Sequence, residues 1–332
     1  MKSLIISIIT FFSILNVYAT TDDIFSDQTL TTEIALPEWF KLSFLDLKDD
    51  LDEAVADNKK GLIIYFGRKD CPYCKALLEN SWGQKDIVHY TRKNFDVIAI
   101  NTKGTRNITD IDGYVYDEKS FSLTMKTNFT PSLLFINPEG KIVFKLSGYN
   151  NPYRFMAALE YVADQHYNNL TFRSYLSQAK ETLDTAGNDN LNSQDYFDLP
   201  PYNLDRTKFP SGRALAVFFE KTNCHACDIL HSKPLQNNAI NKHFEDIDVI
   251  QLDVESKDQI ITPSGTKLNT HEWAESLELH YSPTIVFFDE IGKEIIRIDS
   301  VVWVNRLDRV LEYITSKSYK HFPSFQAWRL SK

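Results

Sequence analysis

The sequence predicts an α/β protein made of two tandem copies of one domain, each a central mixed sheet flanked by helices. Three observations predict it. The four cysteines fall into two Cys-x-x-Cys pairs, Cys71-Pro-Tyr-Cys74 and Cys224-His-Ala-Cys227, each after an apolar strand-like run and at the start of a helical stretch. About sixty residues later a proline stands between hydroxyl residues, in Thr130-Pro131-Ser132 and Ser282-Pro283-Thr284. The flanking segments repeat as well: Phe95–Ile100 pairs with Ile247–Leu252, and Asn128–Ile136 with His280–Phe288, at an offset of 152 or 153 residues. A period this long marks a duplicated domain, because solenoid units run to only about 20–50 residues.

Each element of the first copy follows from its pattern. Residues 50–58 predict a helix, and the unbroken apolar run 61–67 a strand buried on both faces. A helix is expected from Cys71 towards Asn80 and another over 85–94. Residues 96–101 alternate as a strand, and 118–127 have helical spacing. Residues 132–136 and 141–146, joined by Asn137-Pro-Glu-Gly140, predict a hairpin, and 151–167 a closing amphipathic helix. The second copy repeats the order from Arg213 to Ser316.

The remaining segments divide the chain. A basic start, an apolar stretch from Leu4 to Ile14 and a small-x-small Val17-Tyr18-Ala19 predict a signal peptide over 1–19, and therefore export to the periplasm. The apolar stretch is short against the roughly 20 residues that span a bilayer. Residues 20–36 are then an N-terminal extension, 37–167 the first domain, 168–212 a linker, 213–318 the second domain and 319–332 a C-terminal tail. The linker is rich in Asn, Asp, Tyr and Pro, with Pro200-Pro201 a break, and its aromatic residues predict partial packing on one copy.

Composition excludes some partners. The 332 residues carry a net charge of −9 with no basic run, which argues against nucleic acid. A hydrophobic content of 43% fills two ordinary cores without staples. A disulfide between residues three apart closes too small a loop to stabilise much. Four-thiolate zinc ribbons place their knuckles about 15–20 residues apart, not on either side of a domain. Redox chemistry accounts for the cysteines better than either alternative.

The element order, with Cys-x-x-Cys after the first core strand and a proline before the hairpin, resembles the thioredoxin fold. The run Phe66 to Lys75, containing Cys-Pro-Tyr-Cys-Lys, is similar to that of periplasmic SoxW-type thioredoxin-like proteins. The resemblance covers about Pro37 to Tyr167 and, more weakly, Arg213 to Ser316. It implies a thiol–disulfide oxidoreductase with cis peptide bonds at Pro131 and Pro283, and no cofactor or metal. Three departures stand out. Tyr65 and Phe218 occupy the position where thioredoxins carry a buried Asp. Gly148 of the first copy is matched by Ser300 in the second. His225 follows Cys224 instead of preceding the second cysteine, where its charge would favour the thiolate; simple solvent exposure is the alternative.

Disulfide exchange needs a thiolate, and a helix N-terminus stabilises one. Cys71 and Cys224 are the expected nucleophiles, with Cys74 and Cys227 resolving. The backbone at Thr130 and Ser282, beside Pro131 and Pro283, is expected to pair with an extended substrate strand. Protein disulfides or dithiols are the expected substrates, with a membrane or periplasmic thiol as electron donor. A reductase or relay is favoured over a disulfide oxidase or isomerase. A peptide-binding chaperone and a Cu(I) or zinc carrier stay open as other classes. Asp70, Lys75 and His231 are read as solvated side chains near the cysteines.

Overall fold

The computed structural model describes residues 25–180, 190–208 and 210–332. The expected signal peptide lies outside the described residues, as do residues 20–24 of the extension and 181–189 and 209 of the linker. Among the described residues no helix is long and apolar enough to cross a membrane.

The first copy runs α1 (Leu47–Ala56), β1 (Leu62–Gly67), α2 (Pro72–Ala76), α3 (Lys85–Asn94), β2 (Asp96–Asn101), β3 (Asn107–Thr109), β4 (Val115–Asp117), α4 (Glu118–Thr124), β5 (Ser132–Ile136), β6 (Ile142–Ser147), α5 (Pro152–Ala163) and α6 (Phe172–Lys180). Its main sheet has the order β2-β1-β5-β6, with β1 parallel to β2 and antiparallel to β5. The second copy runs β7 (Ala214–Glu220), α7 (His225–Ser232), α8 (Asn238–Phe244), β8 (Ile247–Asp253), β9 (Gln259–Ile261), β10 (Lys267–Asn269), α9 (Thr270–Ser276), β11 (Thr284–Phe288), β12 (Glu294–Ile298), α10 (Val304–Thr315) and α11 (Phe325–Ser331). Its sheet, β12-β11-β7-β8, has the same order read from the other edge.

The central strands β1 and β7 are buried along their whole length, as apolar runs covered on both faces should be. Alternation then divides each core in two. In β1, Ile63 and Tyr65 face one layer, while Leu62, Ile64 and Phe66 face the other. In β7, Ala216 and Phe218 are opposed by Leu215, Val217 and Phe219. Each fully buried large side chain contributes roughly 1.5–3 kcal/mol.

The structure departs from the sequence reading at three kinds of place. The helix expected to reach Asn80 is α-helical only to Ala76; Leu77–Ser81 widens into a π turn, and Trp82 N–H bonds back to the Leu77 carbonyl. The hairpins β3–β4 and β9–β10 were not expected, because three-residue strands carry too little alternation to register. The C-terminal tail carries a helix for which no element was read, α11, with Phe325 and Trp328 buried in the second core.

The described part of the linker packs on the second copy. Tyr196 stacks on Phe244 with ring centroids 4.8 Å apart, and Arg206 pairs with Asp248 at 2.7 Å. The two copies also meet face to face with near two-fold reciprocity. Arg306, on α10, donates to the Thr130 carbonyl of the first copy. Arg154, at the matching place on α5, donates to the His280 carbonyl of the second. Gly148 and Ser300 meet at the same junction: Gly148 has φ +70°, and a Cβ there would stand 2.0 Å from Ser300 Oγ.

Candidate active site

Cys71 lies four residues beyond the end of β1 and is the N-cap of α2, with Pro72 in the first turn, where its missing N–H costs nothing. Its Sγ accepts the Cys74 backbone N–H at 3.2 Å, and the Thr130 hydroxyl donates to it at 3.3 Å. The Thr130–Pro131 bond is cis, as is Ser282–Pro283 in the second copy. The loop before the proline thus brings Thr130 against a sulfur 59 residues earlier in the chain.

Burial by itself raises the Cys71 thiol. The hydrogen bond from Cys74, the charge of Arg306 and the Thr130 hydroxyl outweigh it and bring Cys71 down to about 6. Cys74 is fully buried and is pushed the other way, by burial and by the Cys71 sulfur beside it. One sulfur is therefore poised as a thiolate while its neighbour stays protonated. Tyr65, standing where the resembling family has Asp, supplies a hydroxyl within hydrogen-bonding reach of Cys74.

Much of this site comes from outside its own domain. Arg306 lies with its guanidinium 3.5 Å from the centroid of the Tyr73 ring and 5.2 Å from that of Phe129. The Tyr73 hydroxyl accepts the Trp303 N–H at the start of α10, at 2.9 Å, and donates to Asp27 at 2.9 Å. Asp27 in turn accepts the N–H groups of Asn305 and Arg306, standing in as the cap that α10 lacks in its own sequence. Asp27, Arg306 and Arg329 were missed in the sequence. The repeat offered one signal: Arg154 and Arg306 are 152 positions apart, the same offset as the two prolines.

The second site is built alike at the backbone and differently around it. Cys224 and Cys227 form a disulfide; Cys224 Sγ accepts the Cys227 N–H at 3.2 Å and lies 3.6 Å from the Ser282 carbonyl oxygen. His225 is exposed. His231 is not the solvated side chain expected: it is buried, with Nε2 2.9 Å from the carboxylate of the fully buried Glu220. Gln194 of the linker meets its Nδ1 at 3.0 Å, so this helix position reads as surface only until the linker is folded over it. In the first copy, Asp70 pairs with Arg68 at 2.7 Å and Lys75 is half exposed.

The thioredoxin-like domain family matches residues 47–163 and 206–315, more than half of the chain. The chain belongs to the thioredoxin-like domain family. Each thioredoxin-like region contains one Cys-x-x-Cys pair and one cis proline, Pro131 in the first and Pro283 in the second; a third cis bond, Pro200–Pro201, lies between the regions. Similar solved structures include a thioredoxin-fold protein from Helicobacter pylori, at 19% identity over 38% of this chain and 87% of that one, with a TM-score of 0.34. A DsbH oxidoreductase matches at 14% identity over 40% of this chain and 92% of that one, with a TM-score of 0.28. Thioredoxin O2 of Arabidopsis thaliana matches at 19% identity over 34% and 93%, with a TM-score of 0.25. No curated protein matches the chain.

Proposed function

We propose that this thioredoxin-like chain is an exported thiol–disulfide oxidoreductase that reduces or relays disulfides by dithiol exchange at Cys71 and Cys74. The observation that carries this reading is the setting of Cys71 at the start of α2, its sulfur accepting the Cys74 N–H and the Thr130 hydroxyl beside the cis Pro131. The Cys71 thiolate attacks one sulfur of a substrate disulfide, and the other sulfur leaves as a thiolate. Cys74, once deprotonated, attacks Cys71 Sγ, releases the second substrate sulfur and leaves a Cys71–Cys74 disulfide. The substrate gains the two electrons that the dithiol loses. The Cys224–Cys227 pair is a second exchange site, to which the first passes or from which it takes electrons. The N-terminal apolar stretch and its small-x-small site support export to the periplasm, where a membrane or periplasmic thiol donor would complete the cycle.

The test is Cys74→Ser, which should trap a Cys71 mixed disulfide with a substrate disulfide, visible as an added mass on the intact protein. Cys71→Ser should leave the first site inert. A Cys74→Ser chain that accumulates no adduct refutes the mechanism. A redox titration of chains keeping one cysteine pair would set the direction: a potential near the thioredoxin value of about −270 mV supports reduction.

A further inference from the structure

We infer that the Cys71 site takes small disulfides of carboxylate-bearing thiols, bound in a basic chamber that the second domain and the C-terminal helix build over it. This deepens the exchange reading above and rests on it. The chamber is a cavity of about 300 Å³ next to Cys71, into which Arg68, Arg306, Arg309 and Arg329 all reach. It adjoins a second cavity of about 380 Å³ that shares Arg68, Arg309 and Arg329 with the first and adds Lys103 and Lys332. Three acids stand against these six cations, and all are engaged. Glu312 pairs with Arg309 at 2.8 Å and with Lys332 at 3.4 Å. Asp70 is paired with Arg68, while Asp27 holds Tyr73 and the N-terminal end of α10. The surplus positive charge stands out in a chain whose net charge is −9.

Unsatisfied polar atoms point to a ligand independently of charge. Gln326 lines the second cavity and is only 7% exposed, yet among the described residues neither its amide nitrogen nor its amide oxygen has a hydrogen-bond partner. Thr127 and Asn128 line the same cavity, and among the described residues Thr127 Oγ1 and Asn128 Oδ1 are likewise buried and unpartnered. Buried polar groups are costly unless bonded. A peptide-like ligand, with amides for Gln326 and carboxylates for the arginines, satisfies both sets.

The same arrangement turns away an extended chain. The Thr130 carbonyl, the acceptor that a substrate strand would use beside Pro131, is taken by Arg306 at 2.8 Å. Cys71 is 3% exposed beneath α10, Phe25 and Trp303. A small anion meets less obstruction than a folded protein. In the reaction Cys71–S⁻ displaces one half of the disulfide as a free thiolate, and Cys74 then displaces the other. One disulfide becomes two thiols as the dithiol becomes a disulfide.

The test uses the full chain carrying Cys224→Ser and Cys227→Ser, fully reduced, in single turnover with thiols counted after acid quench. Three disulfides serve as probes: glutathione disulfide (dianionic overall), hydroxyethyl disulfide (neutral) and cystamine (dicationic). Each rate is divided by that of the same disulfide with free 2-mercaptoethanol, which removes intrinsic reactivity. The expected order follows negative charge, with about tenfold or more between the ends at low salt and less at high salt. Arg309→Gln should compress that spread; its side chain is 60% exposed, so the fold tolerates the change. Gln326→Leu should slow glutathione disulfide relative to the neutral probe. Equal or reversed rates, with Cys71 still exchanging, would overturn the anion specificity and leave thiol exchange standing. No exchange with any of the three probes would overturn both.

Discussion

Cys71 is buried in the structure, and its chemistry depends on what covers it. A thiol at a helix tip is moderately acidic. Placing Arg306 over it, from another domain, supplies an opposite charge where little water screens it. Alkylation of Cys71 by iodoacetamide should therefore rise with pH around a midpoint near 6 and level off above it. Arg306→Gln should raise that midpoint by about one unit or more. A midpoint unchanged in the variant would show that the helix tip and Thr130 suffice. Stability is linked with a definite sign. A thiol lowered from 9.0 to about 6 holds its proton less tightly when folded, so the reduced protein gains stability between those values and loses it on acidification through 6. Cys74, raised above its ordinary value, takes stability back only at higher pH. Urea midpoints of the reduced protein at pH 5.5 and 7.5 should differ in favour of 7.5.

Among the elements, β7 and α7 differ from their counterparts β1 and α2 by one buried ionisable pair. Glu220 is fully buried and accepts from Gln251 at 2.9 Å, besides its contact with His231. Breaking such a pair leaves one buried group uncompensated, whereas replacing both members with apolar residues does not. His231→Leu should cost about 3–5 kcal/mol in urea unfolding, and His231→Leu with Glu220→Leu should recover most of it. Additive losses in the double variant would mean that the pair is uncoupled. The β5–β6 hairpin was legible from its two strand-like runs and the Asn137-Pro-Glu-Gly140 turn between them. The π turn at Leu77–Ser81 was not, because apolar spacing does not distinguish it from an α-helix.

For the molecule as a whole, duplication has left two copies clasped by reciprocal arginines, with one active site enclosed in the junction. Asp27 is a small anchor with a large reach, tying the N-terminal segment, Tyr73 and α10 together. Losing a helix cap costs about 1 kcal/mol, roughly a fivefold change in an opening equilibrium. Asp27→Ala should speed the labelling of Cys71 by a bulky maleimide by about that factor, read by gel shift on the reduced protein. An unchanged rate would show that α10 covers the site without Asp27.

The linear chain by itself determined the duplicated α/β architecture, the two cysteine pairs and the prolines set beside them. All of these rest on local periodicity and on spacings preserved between the copies. Only the tertiary structure decided what surrounds each sulfur. Arg306 and Arg329 lie more than 200 residues from Cys71 in sequence and reach it because two buried faces, carrying Gly148, Ser300 and Phe129, fit against each other. The repeat marks Arg306 as the counterpart of Arg154, but which sulfur its charge meets is chosen by packing and not by spacing.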